Sequence, residues 1–117
     1  MSEHAADIVN SLDAFIYSKD RAGNYTYANP QVQALFGADL AGIVGKDDSV
    51  FFDLERANDL RVNDEEVMAT GTSISREERD VVKETGEERR FWTVKSPIFN
   101  SAGEVVGMSG ISIALTS

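Results

Sequence analysis

The side chains that could carry chemistry in this chain are mainly carboxylates, because the common nucleophiles and metal ligands are almost absent. The 117 residues include no cysteine and one histidine, His4. The sequence therefore excludes disulfides, thiolate metal sites and cysteine nucleophiles, as well as a histidine-based triad or a multi-histidine metal site. Since no nucleophile–base pair and no phosphate-binding loop is visible either, we expect the chain to be non-catalytic.

Two groups of acidic residues are candidates for metal binding or acid–base chemistry. The first comprises Asp47, Asp48, Asp53 and Glu55, and the second comprises Asp80 with Glu84 and Glu87 with Glu88. The first lacks the alternating acidic loop of a calcium site, and acidic residues are common at helix starts, where they interact favourably with the helix dipole. We interpret the first group as solvated helix caps, and we expect no bound metal.

The charge balance argues against a nucleic-acid partner. The chain carries 11 basic and 20 acidic residues, for a net charge of −9. Affinity for nucleic acids rests largely on Lys and Arg neutralising phosphates, and the adjacent Arg89 and Arg90 are preceded by two glutamates. No apolar run is long enough to span a bilayer, and no secretory signal is visible. We expect a cytoplasmic location.

The order of periodic segments predicts an α+β domain. The hydrophobic spacing indicates a short N-terminal helix, a hairpin, a helix beginning at Pro30, short helical turns, a longer helix and three strands ending near Ser117. Pro97 is expected to end the second of these three strands. Strands at both ends of a helical middle favour an antiparallel sheet with helices on one face and a cavity between the two layers. The segments are 3–12, 14–29, 30–37, 38–53, 54–70 and 72–117.

Several motifs in this order resemble those of the PAS sensor domain family. The segment DRAGNYTYANP is similar to the Asp-x-x-Gly turn and terminal Asn of the first PAS hairpin, and ALFGADLAGIVGK resembles the short helices ending in Gly-Lys. The resemblance continues from Thr70-Gly71 through the hairpin glycine Gly86 to the last strand. It implies a PAS-like five-stranded antiparallel sheet at 13–117, with short helices and one longer helix on one face, preceded by a flanking helix at 1–12.

The resemblance also implies a sensory role. The chain is expected to bind a small ligand or partner, to form a homodimer and to regulate a C-terminal output domain, a diguanylate cyclase or a histidine kinase of bacterial signal transduction. The family's linker helix would begin near Ser117, so we expect a fragment of a longer protein. Ala114, Leu115 and Thr116 stand where many members have Asp-Ile-Thr. The missing acidic residue puts that route of signal transmission in doubt. A ligand-free PAS module serving dimerisation is the alternative.

The cofactors known in the family are constrained by the residues present. Without cysteine, a flavin–cysteinyl adduct and a thioester-linked chromophore are excluded. The longer helix has no histidine for a haem, and Met68 in it is more readily explained as a core residue. A non-covalent flavin and a small metabolite both remain open, so the cofactor stays unassigned.

The resemblance and the strand alternation together suggest pocket residues. Ile16 and Ser18 on the first strand and Ser112 on the last are expected to point toward the helices. Arg79 is the best candidate for an anionic ligand, although a surface pair with Glu77 or Asp80 is the simpler explanation of this residue. The inward face around Trp92 is ambiguous. The full set of candidates is Ile16, Ser18, Phe36, Phe51, Phe52, Arg79, Trp92 and Ser112.

Overall fold

The sheet is built from two separate parts of the chain. In the computed structural model, which describes residues 13–115, β1 (Phe15–Asp20) and β2 (Tyr25–Ala28) form a hairpin. A later meander contains β3 (Ile74–Val81), β4 (Glu88–Phe99) and β5 (Val105–Ala114). The strand order is β2-β1-β5-β4-β3, and every neighbouring pair is antiparallel. The predicted fold class is confirmed, while the helix predicted at 1–12 lies outside the described residues.

The first helix begins and ends at the residues that the sequence predicts. In α1 (Pro30–Phe36), Asn29 accepts a hydrogen bond from the Val32 amide through its side chain, and Pro30 occupies the first turn. Gly37 ends the helix with a φ of 66°, a left-handed conformation that favours glycine. The local capping chemistry therefore accounts for both ends of α1.

The middle of the chain is helical, but the longest helix is shorter than predicted. It contains α2 (Leu40–Ile43), a 3₁₀ turn (Asp48–Val50) and α3 (Asp59–Thr70). The prediction placed the start of α3 at Leu54. The preceding residues are instead held against the end of β3, because Phe52 forms an isolated bridge with Val82 and the Asp53 amide donates to the Val81 carbonyl.

Pro97 does not end β4 as predicted. The strand continues to Phe99, and Pro97 is paired with Met108 of β5. The pairing of β3 with β4 stops at Lys95, so Pro97 lies where the other side of β4 has no partner strand. Proline is tolerated at such an edge because no ladder hydrogen bond is required there.

The helices cover one face of the sheet and enclose the core with it. Aromatic rings dominate this layer, where Phe36 stacks on Phe51 with ring centroids 4.1 Å apart and meets Phe52 edge-on at 5.3 Å. The buried cluster consists of Tyr17, Tyr25, Ala28, Val32, Phe36, Ile43, Phe51, Phe52, Leu60, Val67, Met68, Val82 and Met108. Within residues 13–115, no helix is both long and apolar enough to cross a membrane.

Candidate ligand cavity and buried charge network

A small cavity lies between the sheet and the helical layer. Its volume is about 30 Å³, which is the space of one water molecule. Most of its wall is apolar, and the polar groups come from two tyrosines, two carboxyl groups and one serine. The lining residues are Phe15, Tyr17, Tyr25, Val32, Leu35, Phe36, Phe52, Leu60, Glu78, Asp80, Phe91 and Ser112.

Three of the expected pocket residues line this cavity. Phe36 and Phe52 enclose it from the helical side, and Ser112 reaches it from β5, where its hydroxyl lies 2.9 Å from that of Thr93. Phe51 does not line it, but stacks on Phe36 and supports that wall. The cavity is thus bounded by the central strand β5 on one side and by aromatic residues of the helical layer on the other.

The expected orientation of β1 is wrong by one residue. Phe15 and Tyr17 line the cavity, so the alternate residues Ile16 and Ser18 lie on the opposite face of the sheet. Ser18 is 2.7 Å from Thr26 through their hydroxyl oxygens, in an exposed pair, and Ile16 is paired with the exposed Ile111. Lys19 lies on the same buried face as Phe15 and Tyr17, because two carboxylates of the helical layer pair with its ammonium group.

Arg79 and Trp92 also lie away from the cavity. Arg79 is exposed and donates through Nη2 to the Arg56 carbonyl at 3.1 Å, so it pairs with neither acidic residue considered from the sequence. Trp92 is 46% exposed and lies opposite Ile113 on the outer face of the sheet. Neither side chain is placed to meet a ligand in the cavity.

A buried ion-pair network adjoins the cavity and begins at Lys19. Its ammonium group donates to Asp48 of the 3₁₀ turn at 2.6 Å and to Asp64 of α3 at 2.5 Å. The Tyr25 hydroxyl donates to the second oxygen of Asp48, and the Lys19 ammonium lies 4.9 Å from the centre of the Tyr25 ring. Lys19 therefore ties β1 to two elements of the helical layer.

Lys95 extends the network to the other side of the sheet. Its ammonium donates to Asp64 at 2.6 Å and to the Leu60 carbonyl at 3.2 Å, and it lies 2.6 Å from a carboxylate oxygen of Glu78. The same oxygen of Glu78 accepts a hydrogen bond from the side-chain Nδ2 of Asn63 at 3.1 Å. Asp64 thus bridges the two lysines, and the network joins β1, β3, β4 and α3.

The protonation states in the network follow from a competition between burial and charge. Burial alone would lower the pKa of Lys19, but Asp48 and Asp64 outweigh it and raise that pKa. Burial would likewise lower the pKa of Lys95, but Asp64 and Glu78 outweigh it. The pKa of Lys95 is therefore raised. For Asp64 the two lysines overcome burial and lower the pKa. Both ammonium groups and the bridging carboxylate are therefore charged at neutral pH.

Asp80 differs from the other buried carboxyl groups because it has no cation of its own. It is 4% exposed, it lines the cavity, and its Oδ1 atom has no hydrogen-bond partner among the described residues. Burial first and the neighbouring Glu78 second raise its pKa to about 8. The buried region around Asp80 contains two lysines and four carboxyl groups, counting Asp80 itself, so buried acidic groups outnumber buried basic groups.

The buried charge network is absent from the predictions made from the sequence, and one of its members, Asp48, differs from its predicted position in solvent. Asp48 was interpreted as a solvated cap, yet it is fully buried, whereas Asp47 does cap the 3₁₀ turn through the Ser49 amide. The available signal was the alternation of aromatic or hydroxyl side chains with a lysine, Phe15-Tyr17-Lys19 in β1 and Phe91-Thr93-Lys95 in β4. One face of each strand carries all three residues, and that face is the buried one.

An antiparallel sheet with a cavity under its helical layer defines an α+β domain, and comparison with known proteins gives its family. Residues 9–117 match the family model described as the PAS fold. A diguanylate cyclase from Vibrio cholerae is 36% identical over 110 residues, which cover 93% of this chain and 34% of that protein. The chain therefore belongs to the PAS fold family.

A second relative is a histidine kinase. The methanogenesis regulatory histidine kinase FilI from Methanothrix harundinacea is 28% identical over 109 residues, which cover 93% of this chain and 12% of FilI. The chain thus spans about a third of the cyclase and a smaller part of the kinase. It is a PAS domain homologous to domains of both proteins, consistent with a sensory and regulatory role.

Solved structures support the fold at low sequence identity. The PAS domain of a protein from Colwellia psychrerythraea has a TM-score of 0.80 at 17% identity and covers 97% of this chain and 96% of its own. VqmA bound to DPO has a TM-score of 0.79 at 20% identity, over 97% of this chain and 58% of that one. At these identities the likeness concerns the fold alone.

The cavity does not fit a flavin as the side chains stand. Pockets for molecules of that size are typically several hundred Å³ in volume, roughly ten times the space between the present walls. Aromatic rings of the helical layer occupy the space themselves, as the Phe36–Phe51 stack illustrates. A compact ligand matches the described residues better.

Proposed function

We propose that this PAS domain binds a small ligand in the cavity and thereby regulates an output domain in the whole protein. The observation that carries the proposal is a buried carboxyl group, Asp80, whose Oδ1 atom lacks a hydrogen-bond partner among the described residues and which lies at the wall of a mainly apolar cavity. A buried polar atom without a partner is costly unless a ligand or water satisfies it. The relatives suggest that the output is a diguanylate cyclase or a histidine kinase, and the chain itself is then non-catalytic.

The proposed mechanism is a shift between two arrangements of the helices over the sheet. A ligand changes that equilibrium only by its difference in affinity for the two states. The cavity is well placed for this, because its wall includes Ser112 of β5, and β5 is followed directly by the C-terminal residues. A ligand that displaces Ser112 or Phe36 would change how β5 packs against the helical layer.

Native mass spectrometry and an absorbance spectrum of protein purified without added ligand test this function. We expect a colourless protein that carries a small bound mass. Ser112→Val, which adds bulk at the cavity, should remove that mass, whereas Ser109→Val should retain it, because Ser109 pairs with Ser18 and lies outside the cavity lining. A bare protein mass, or a bound mass that survives Ser112→Val, contradicts ligand binding in this cavity.

Dimerisation is a second candidate function, and the outer face of the sheet favours it. Four large apolar side chains on β4 and β5 are between 41% and 53% exposed: Trp92, Val94, Ile111 and Ile113. Contiguous apolar surface of this kind commonly marks a protein–protein contact. We propose a homodimer formed through this face. The sedimentation coefficient as a function of concentration separates a dimer from a monomer.

A further inference from the structure

We propose that the cavity recognises the protonated head of a small primary amine, with the ammonium group donating to Asp80 and lying beside Glu78. This inference rests on the proposed ligand-binding function and names the class of ligand. Both carboxyl groups line the cavity and come from alternate positions of β3, so they share one face of that strand. A cation entering the cavity would meet the two together.

The first support is that no lysine or arginine among residues 13–115 forms an ion pair with Asp80. Lys95 directs its ammonium group to Asp64, Glu78 and the Leu60 carbonyl, which accounts for its three N–H donors. Lys19 is engaged with Asp48 and Asp64. Both buried lysines are therefore committed to other carboxylates.

The nearest arginine does not neutralise Asp80 either. Arg89 is directly opposite Asp80 in the pairing of β3 with β4. Its Nε atom lies 3.1 Å from Oε1 of Glu87, in an ion pair that is partly exposed, and it makes no hydrogen bond to any of the described residues. A basic residue thus stands at the cross-strand position without satisfying Oδ1 of Asp80, which leaves that atom available to a ligand.

The second support is that aromatic rings form much of the rest of the cavity wall. Phe15 and Phe91 meet edge-on with ring centroids 5.4 Å apart, and both line the cavity together with the rings of Tyr17 and Tyr25. Aromatic faces attract cations, and the attraction is stronger where water is excluded. The wall therefore suits an ammonium group attached to a short hydrocarbon chain.

The volume of the cavity limits the size of the amine. A volume of about 30 Å³ admits a group as large as one water molecule, and the ammonium ion is of similar size. Each additional carbon must displace part of the wall, to which α1 contributes Val32, Leu35 and Phe36. Amines with zero to three carbons are consequently the first to test.

An anionic ligand does not match this wall. The carboxyl groups of Glu78 and Asp80 would repel it, and Arg79, the arginine considered for that task, is not part of the lining. A neutral carbonyl compound would instead accept a hydrogen bond from protonated Asp80. The excess of buried acid over buried base favours the cation over both.

The pH dependence of binding follows from the groups around Asp80. They are Glu78 of β3, Lys95 and Arg89 of β4, Lys19 of β1 and Asp48 of the 3₁₀ turn. With a pKa of about 8, Asp80 is mainly protonated at pH 6 and must release its proton to accept an ammonium group. The amine itself stays protonated in this range, so we expect the affinity to fall about tenfold per pH unit below pH 8.

The test is a titration of the 117-residue chain followed by backbone amide shifts in NMR spectra at pH 6, 7 and 8. The probes are ammonium, methylamine, ethylamine and propylamine as chloride salts at constant ionic strength. The matched neutral and anionic probes are ethanol, acetone and acetate. Asp80→Asn, which keeps the shape and removes the charge, is compared with Glu77→Gln, an exposed neighbour on the same strand.

We expect shifts at Phe15, Phe91 and Ser112 with at least one amine, a Kd at least tenfold higher for Asp80→Asn, and an unchanged Kd for Glu77→Gln. The pH series on the unaltered chain gives the same information if Asp80→Asn does not fold. Equal binding of ethanol or acetone, or binding of acetate, overturns the amine class but preserves ligand binding. If no probe shifts these amides, the amine inference fails. If the purified protein also carries no bound mass, the proposed function fails with it.

Discussion

Lys19 and Lys95 are buried charges that depend on a shared carboxylate. Moving each ion out of water costs several kcal/mol, and the attraction between the partners offsets this cost only when the set is complete. Asp64 contacts both ammonium groups at 2.5 and 2.6 Å, so its removal leaves two buried cations short of a partner. At the scale of single residues, Asp64 is therefore the side chain on which the network depends most.

Replacing Asp64 should lower the stability much more than replacing an exposed acid on the same helix. For Asp64→Asn we expect a loss of about 3–5 kcal/mol in the free energy of unfolding, because the lysines remain buried. For Glu66→Gln, which breaks a solvent-exposed pair with Arg76, we expect less than about 1 kcal/mol. Urea denaturation followed by circular dichroism measures both, and similar losses would contradict the assigned role of Asp64.

Asp80 should make the protein less stable as the pH rises. Its pKa is raised from 3.8 in the unfolded chain to about 8 in the folded chain, so folding takes up a proton between these two values. The contribution of Asp80 to stability is therefore largest at low pH and is lost as the pH rises to about 8. The limiting slope for one group is about 1.4 kcal/mol per pH unit.

Asp80→Asn removes this pH dependence. Relative to the unaltered chain, the variant should gain stability progressively from pH 5 to pH 8, as measured by urea denaturation at each pH. Asp64, whose pKa is lowered, contributes a change of opposite sign at acid pH in both proteins and cancels in the comparison. Glu77→Gln should follow the unaltered chain, and a constant difference for Asp80→Asn would refute the assignment.

At the scale of elements, Asn29 fastens α1 to the first hairpin. Its Oδ1 atom accepts from the amides of Ile16 and Val32, and its Nδ2 donates to the Ala14 carbonyl at 2.8 Å. The residue is fully buried, so water cannot replace these bonds. One side chain therefore caps a helix and fixes the strand in front of it.

Asn29→Ala should cost more than the loss of an ordinary helix cap. Two amides and a carbonyl lose their partner in a buried place, so we expect a decrease of about 2–4 kcal/mol in stability. Asp39→Ala, which removes the exposed cap of α2, should cost about 1 kcal/mol. Thermal and urea denaturation compare the two, and equal effects would show that the contacts of Asn29 outside α1 contribute little.

The element boundaries could be predicted where local chemistry determines them. Pro30, Gly37 and Gly71 mark helix ends through restricted or left-handed backbone angles, and these preferences act without the rest of the fold. The start of α3 could not be predicted in this way, because contacts of residues 52 and 53 with distant parts of the chain set it. Local signals are therefore reliable only where tertiary contacts do not override them.

The candidate site was harder to predict than the fold. Lys19, Asp48 and Glu78 are charged, and charged residues are normally exposed unless they are paired. Their pairing joins residues that are 17 or more positions apart, so no local pattern identifies the partners. The orientation predicted for Ile16 and Ser18 from the resemblance and the strand alternation is wrong, because the alternate residues of β1 are the ones that face the helical layer. In contrast, Phe36, Phe52 and Ser112 could be placed from the aromatic and strand patterns.

At the scale of the whole molecule, the outer face of the sheet gives a test of self-association. Ile113→Glu places a charge in the middle of the apolar face and should shift the sedimentation of the protein from dimer to monomer. Val62→Glu, at a position on α3 with a similar exposure of 54%, should leave association unchanged. A monomer in the unaltered chain at high concentration, or an equal effect of both variants, would exclude the proposed interface.

The pairing of the first strand with the last has a consequence for the connectivity of the domain. Phe15 near the start of β1 lies opposite Ser112 near the end of β5, so the chain enters and leaves the sheet at adjacent positions, about 5 Å apart. Because the two ends of the sheet lie close together, we expect the domain to tolerate circular permutation. In the permuted chain, a short linker joins residues 13 and 115, and the new termini lie in the exposed turn at Ala102. The permuted protein should retain the circular dichroism spectrum and the cooperative unfolding of the original, because the permutation changes the order of the strands in the chain but keeps every strand pair.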